Sequence, residues 1–350
     1  MLERRMNRRT ASYAAVTLVP ALLLAAGARA GGGWLWAALG LIALAVPLVD
    51  ALAPPDRTAG DETGGNGLSL LLGLVHFPML GLGIHAVATA PKATALAAFL
   101  GFGLWLGQVS NANAHELIHR PGRGLQALGA AVFASHLFGH HATAHPGVHH
   151  VHVATARDPN SAPRGMSAWA FLPRAWGGSF AAGWRLATAR LAARGQSAWH
   201  PTNPYWAYGA GALATLATGA LIAGAAGIVA AAGLGLYATA QLLIGDYVQH
   251  YGLRRAEGPK GRATPVSPAH SWNAAHWAST RLMLNAPRHA DHHAHPARPW
   301  PALRSLPPAE APELPASLPV MSTLALLPPL WFRVMDARLD RLPGAGRCAG

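Results

Sequence analysis

Apolar residues fall along this chain in long unbroken runs, separated by short stretches in which glycine, proline and charge concentrate. The first run covers about 11–28, directly after an arginine-rich start, and a second covers 34–53. A polar loop from Pro54 to Asn66 carries Asp56, Arg57, Asp61 and Glu62. Runs at 68–89 and 93–110 follow, joined by the turn APKAT, and a last pair at 205–224 and 227–246 is hinged near Gly224. Each is close to the ~20 residues a helix needs to cross the hydrocarbon core of a bilayer. The pattern predicts an all-α polytopic membrane protein: six transmembrane helices, paired as three hairpins, in a single domain over residues 1–350. The start of the chain, ending in GARA, also has the shape of a signal peptide, but a second apolar run follows at once and favours a helical hairpin.

Composition agrees with this picture. Charged residues make up 12% of the 350 and hydrophobic residues 51%, against roughly 25% charged in soluble domains. The formal charge of +13 comes mostly from arginines outside the apolar runs. The N-terminus, the 54–66 loop and the segments 111–204 and 247–350 hold nearly all of them, while the other side has little beyond Arg29 and Lys92. The excess of basic residues predicts that both termini and both long segments are cytoplasmic, in a bacterial-type inner membrane. No basic groove interleaved with aromatics is present, so nucleic acid is not implied. Residues 163–200 mix tryptophan, arginine and small apolar residues, as a helix lying in the membrane interface does. The proline-rich 296–319 reads as an extended segment across the cytoplasmic surface.

Histidine changes the picture most. From His140 to His152, six of thirteen residues are histidine. His115 and His119 share a helical face at i, i+4; His145 with His149 and His150 repeats the spacing, and so does His289 with His292 and His293. Neutral imidazole is a ligand for first-row metals, and three such groups flanking apolar spans predict a polynuclear metal site at one membrane face. HELIH at 115–119 also fits the H-E-x-x-H zinc-protease pattern with Glu116 as general base, but that reading leaves the other histidines unused. His76 and His85, inside the third run, read as packed or hydrogen-bonded residues. The one cysteine, Cys348, rules out an intrachain disulfide or a cysteine-held iron–sulfur cluster, so redox chemistry here needs electrons from another protein.

The motifs HELIHR at 115–120, HPGVHHVHVAT at 145–155, DPNSAPRG at 158–165, YVQHYGLRR at 247–255, HSWN at 270–273, RHADHHAHP at 288–296 and PPLWFRVMD at 328–336 resemble, in order, those of the integral-membrane alkane 1-monooxygenases, relatives of the membrane fatty-acid desaturases and of xylene monooxygenase. The resemblance implies two iron ions held by nine histidines: His115, His119, His145, His149, His150, His250, His289, His292 and His293. It implies terminal hydroxylation of alkanes with O2, and electrons from rubredoxin or a ferredoxin-type reductase; methyl-arenes or fatty acyl lipids are the alternative substrates. Ala144 and Pro146 depart from the family, which has an acidic residue before His145 and a polar one after it. Glu116, His140, His270 and Asp291 are expected to support the ligands. Trp34, Trp36 and Trp105 are the large residues expected to close a substrate channel among the first four spans, and Arg254, Arg255 and Lys260 the surface expected to receive an acidic electron donor.

Overall fold

The structure is a computed structural model that describes residues 8–58, 60, 65–256, 258 and 262–342; Arg4, Arg5, Asp61, Glu62, Lys260 and Cys348 lie outside the described residues. All regular secondary structure among the described residues is helical, apart from one isolated bridge between Asn273 and Glu313. Four helices are long and apolar enough to cross a membrane before the histidine segment: α1 (Arg8–Ala30), α2 (Gly32–Leu52), α3 (Asn66–Thr89) and α4 (Lys92–Ile118). They are apolar all round, as helices surrounded by lipid and by one another are. Then come α5 (Arg123–Ser135), α6 (141–152) and α7 (Ala168–Ala192). The 47-residue apolar helix α8 follows (Pro204–His250), and after it the short helices α9 (Trp277–Leu282), α10 (His289–Ala294), α11 (Leu318–Ala325) and α12 (Pro328–Leu339).

Helix α8 is not one rod. Ala223 and Gly224 leave helical geometry, Gly224 with φ 59°, a conformation open to glycine at no steric cost. The backbones of Gly219 and Gly227 then touch, with no room for a Cβ on either. In a continuous helix, residues eight apart would stand ~12 Å apart along the axis. The two halves therefore run back against each other, as the hinge near Gly224 predicts.

Helix α4 continues past the expected end at residue 110 into the polar NANAHELI. Its asparagines are held by the bundle: Asn111 Nδ2 donates to Ala238 O at 2.7 Å and Asn113 Nδ2 to Ser69 O at 2.9 Å. The extension carries His115 beyond the apolar core while keeping it on a rigid element. A π turn at Leu106–Ser110 interrupts α4, and another at His145–His149 interrupts α6. Pro146 lacks the N–H that an α turn would use, and a wider turn accommodates it.

The C-terminal segment is tied into the bundle. Asp50, at the end of α2, accepts from the backbone N–H of Ala278 (2.6 Å) and Ser279 (3.1 Å) at the start of α9. Asp56 ion-pairs with Arg281 at 2.7 Å, and the fully buried Arg288 donates to Leu303 O at 2.7 Å and Thr58 O at 3.2 Å. Arg288 immediately precedes α10, so this network fixes where the last histidine group stands. The proline-rich stretch is more than a surface strap. Trp300 is buried against Tyr13, ring centroids 4.5 Å apart, and its indole donates to Ser69 Oγ at 3.1 Å. Helix α7 carries exposed Trp169, Trp176 and Phe180 on one side and buried Phe171 and Ala175 on the other, consistent with a helix in the interface plane.

Candidate metal centre

The nine histidines named by the motifs come from four elements: the end of α4 and the residue after it, α6, the last residue of α8, and α10. They converge into two adjoining groups. His115, His119, His145, His150 and His292 form one; His149, His250, His289 and His293 form the other, with the ring nitrogens of each group within 4.8 Å of one another. Neighbours in sequence separate: His149 and His150 go to different groups, as do His292 and His293. Consecutive residues on a helix point about 100° apart, so one short helix serves both groups. The groups adjoin through His150 and His293, whose rings stack at 4.4 Å.

The nitrogens make more mutual contacts than hydrogen bonding among themselves can satisfy. His145 Nε2 lies 2.7 Å from His115 Nε2 and 2.9 Å from His150 Nε2, and His150 Nε2 is 3.1 Å from His292 Nε2. In the second group His289 Nε2 is 3.0 Å from His250 Nε2 and 3.1 Å from His293 Nε2. A neutral imidazole has one N–H and one lone pair, so a nitrogen shared by two others leaves at least one unsatisfied. Meanwhile His119 Nε2, His149 Nε2 and the Nδ1 atoms of His145, His150 and His293 are buried without any hydrogen-bond partner. Spacings near 3 Å are what adjacent ligands on a cation with ~2 Å bonds adopt. The residues fit a metal centre.

Electrostatics keeps the lone pairs free. Burial, then the crowding of other imidazoles, holds His145, His150, His289, His292 and His293 well below the ordinary histidine pKa, and burial brings His119 to about 4. His149 is the exception. Burial would lower it too, but Asp158, 2.8 Å from its Nδ1, raises it instead. Asp158 also accepts from Ser161 Oγ (2.6 Å) and Asn160 N (3.0 Å).

The residues expected to support the ligands divide. His270 does so through its backbone: His250 Nδ1 lies 3.2 Å from His270 O, while the His270 ring turns to Ser267. Glu116 faces away from the histidines, ion-paired with Arg120 and accepting from Trp300 N at 3.2 Å, an arrangement that leaves it no place as a protease base. Asp291 is held by Arg298 at 2.5 Å, Arg304 N at 2.8 Å and His295 at 3.2 Å. His140 sits among Phe138, Trp176 and Phe180, with Ser179 Oγ at 3.2 Å. The supporting carboxylate that sequence reasoning missed is Asp158. Its signal was its place in DPNS, just after the densest histidine run.

An apolar cavity of about 210 Å³ lies along α4 and the second half of α8, larger than the ~150 Å³ that holds benzene in an engineered protein core. Its inner end is lined by His115 from one group and His289 from the other, its far end by Leu104 and Tyr237, and its outer wall by Leu318, Ser322 and Leu326. The tryptophans expected to close it do not line it. Trp34 and Trp36 are 51% and 49% exposed on the outside of α2. Trp105 is fully buried, but on the other side of α4, where its indole donates to Thr17 O at 2.9 Å. His76 and His85 stand apart from both groups: His76 is buried between Ser110 Oγ (2.6 Å) and Ser135 Oγ (2.7 Å), and His85 is exposed.

A histidine-rich centre that fits a metal, under the ends of apolar helices and with a cavity leading to it, defines a membrane metalloenzyme, and the comparison with known proteins says of which kind. The family described as fatty acid desaturase matches residues 90–325. Alkane 1-monooxygenase 2 of Pseudomonas aeruginosa is 31% identical over 320 residues, 87% of this chain and 84% of its own length. Alkane 1-monooxygenase 1 of the same organism is 32% identical over 308 residues, 84% and 80% of the two chains. The xylene/toluene monooxygenase hydroxylase component XylM of Pseudomonas putida is 28% identical over 324 residues, 87% and 82%. The chain belongs to the fatty acid desaturase family and, within it, to the alkane 1-monooxygenases; it is a multi-pass membrane protein and an oxygen-dependent oxidoreductase.

Proposed function

We propose that the protein hydroxylates the terminal carbon of alkanes to primary alcohols, with two iron ions, one in each histidine group. The observation that carries this reading is the cavity whose inner end touches one histidine of each group. Iron, unlike zinc, cycles between oxidation states and so supplies the O2 activation that C–H hydroxylation needs. One oxygen atom enters the C–H bond and the other leaves as water, with two electrons and two protons taken up.

The chain's own residues do the rest. Asp158 keeps the proton of His149 on Nδ1, and His270 O does the same for His250, so both present Nε2 lone pairs. Leu104, Leu242, Ile244, Met283 and Leu326 line a path that excludes water and accepts a chain with no polar handle. An end-on approach along that path would bring the chain terminus to the histidines, which supports oxidation there.

Electrons come from rubredoxin or a ferredoxin-type reductase on the cytoplasmic side, where both termini also lie. Val151 is 52% exposed and adjacent to His150, and exposed Arg157 and Arg254 stand on the same surface segments, a basic rim for an acidic carrier. The test is whole-cell conversion of alkanes, fatty acids and xylenes, with products identified by mass spectrometry. Primary alcohols from alkanes support the reading; benzylic alcohols alone, or alkenes, overturn it in favour of the arene or acyl branch.

A further inference from the structure

A second and larger hollow, of about 820 Å³, lies between α3, α5 and the first half of α8, and shares no lining residue with the cavity above. Ala127 and Ala131 of α5, Gly211 and Ala214 of α8, and Phe77 and Leu80 of α3 line it. Phe77 is 40% exposed, and Ala127, Ala131 and Ala214 are exposed as well, so the hollow is a groove open to the outside of the bundle. Its direction follows from the chain. Helix α5 starts four residues after His119, and the two halves of α8 run antiparallel with the second ending in His250. Arg123 and Pro204 therefore mark the end of the groove on the histidine face, and Ile84 and Thr218 the far end. From Pro204 to Thr218 α8 rises about 21 Å. A bilayer with its headgroups is ~40–45 Å thick, so the groove has the depth of one leaflet.

The two ends differ in charge. Arg123 lines the near end and is exposed. Arg190 of α7 stands beside the same end, its Nη2 3.4 Å from where a Cβ on Gly147 would lie, next to Pro146 of the lining. Arg120 is neutralised by Glu116, but neither Arg123 nor Arg190 has an ion-pair partner among the described residues, and no aspartate or glutamate lines the groove. No side chain caps the first N–H groups of α5, which adds partial positive charge at Arg123. The far end carries no charge. Trp199 and Trp206, 67% and 51% exposed on either side of Pro204 in sequence, place the near end at headgroup level. An alkane has nothing to set against the arginines, and a soluble anion leaves the apolar length uncovered. A molecule with an anionic head and apolar tails satisfies both, and basic pockets between helices at the cytoplasmic face are where such headgroups bind.

We propose that this groove is a binding site for one anionic phospholipid of the cytoplasmic leaflet, its phosphate held by Arg123 and Arg190 and an acyl chain lying along the alanines between α5 and α8. The site requires only that the helices span the membrane with the histidine face cytoplasmic, and is independent of the reaction proposed above.

Purified full-length protein in mild detergent should be titrated with dioleoyl phosphatidylglycerol or dioleoyl phosphatidylcholine, and bound lipid counted by native mass spectrometry. The wild type should retain one phosphatidylglycerol under conditions that strip phosphatidylcholine, and only the anionic lipid should raise its melting temperature. Arg123→Gln should weaken that binding about fivefold, and Arg123→Gln with Arg190→Gln about thirtyfold, the loss of one and of two basic contacts. Arg254→Gln, at an exposed arginine outside the groove, should leave lipid binding unchanged. Ala131→Trp, which fills the groove from its open side, should abolish retention; if that variant does not fold, the arginine variants decide alone. Equal retention of the two lipids, an equal loss in Arg254→Gln, or full retention in the double arginine variant or in folded Ala131→Trp overturns the proposal.

Discussion

His149 Nδ1 and Asp158 Oδ2 lie 2.8 Å apart with side chains 3% and 0% exposed. Burial alone would raise the Asp158 pKa, but His149, Ser161 and the Asn160 N–H hold it below the usual carboxylate range, so the carboxylate is charged and fixes the imidazole tautomer. Asp158→Asn removes the charge while keeping the shape. Iron content of the purified variant should fall and activity should drop ~10–100-fold, as for other carboxylates behind metal-bound histidines. Full iron loading with unchanged turnover would show that Asp158 only packs.

The ligand assignment separates histidines that look alike in sequence. His250→Ala removes one of the four nitrogens of the second group and should abolish activity with loss of iron. His152 and His295 belong to neither group, and His295 is exposed on Asp291, so His152→Ala and His295→Ala should retain iron. Metal analysis of the three purified variants decides it, and equal losses in all three would refute the assignment.

Acid sensitivity should come in part from Asp56. Burial alone would raise its pKa, but the Thr58 hydroxyl, Arg281, the Thr58 N–H and Arg288 outweigh that and bring it to about 2 from 3.8. The folded value lies below the unfolded one, so the stabilisation is complete at neutral pH and is lost as pH falls from about 4 toward 2. It amounts to about 2 kcal/mol. Asp56→Asn should lower thermal stability in detergent at pH 7, and the gap to wild type should close below pH 4. A gap independent of pH would mean the charge is not what matters.

At the proposed electron-donor surface two adjacent arginines should behave differently. Arg255 supports the histidine segment: its guanidinium donates to Val151 O at 2.9 Å and to Thr264 O through Nε at 2.8 Å. Arg254 is exposed. Arg254→Glu should slow electron-donor-dependent turnover several-fold at low ionic strength, with the difference fading in high salt. Arg255→Glu should instead reduce iron content. A salt-independent rate in Arg254→Glu would move the docking surface elsewhere.

The grouping of the candidate site's histidines was legible in part because side chains that meet at one point from a helix must recur at helical spacings. His115 and His119, or His289 with His292 and His293, announce their shared faces without a fold. What the spacing could not tell is which nitrogens meet. That depends on a π turn at His145–His149 and on Arg288 anchoring α10 from beneath, both settled by tertiary packing. Carboxylates misled for a related reason. Glu116 and Asp291 sit beside ligands in sequence yet are claimed by Arg120 and Arg298, whereas Asp158 reaches His149 because the chain reverses at Ala154, φ 59°. The channel was misplaced because α1 to α4 are apolar on every side, so a tryptophan's facing has no signature there.

The crossing of sequence neighbours between the two histidine groups has a mechanical corollary. His149 with His150, and His292 with His293, each straddle both groups across a single peptide unit, whose Cα atoms are held ~3.8 Å apart by covalent geometry. The gap between the two groups is thus gauged by bonds rather than by how tightly helices press together. Bilayers differ in thickness and tension, and helices tilt to follow them; a spacing ruled off by the backbone itself would be carried through such adjustments as an undeformed insert.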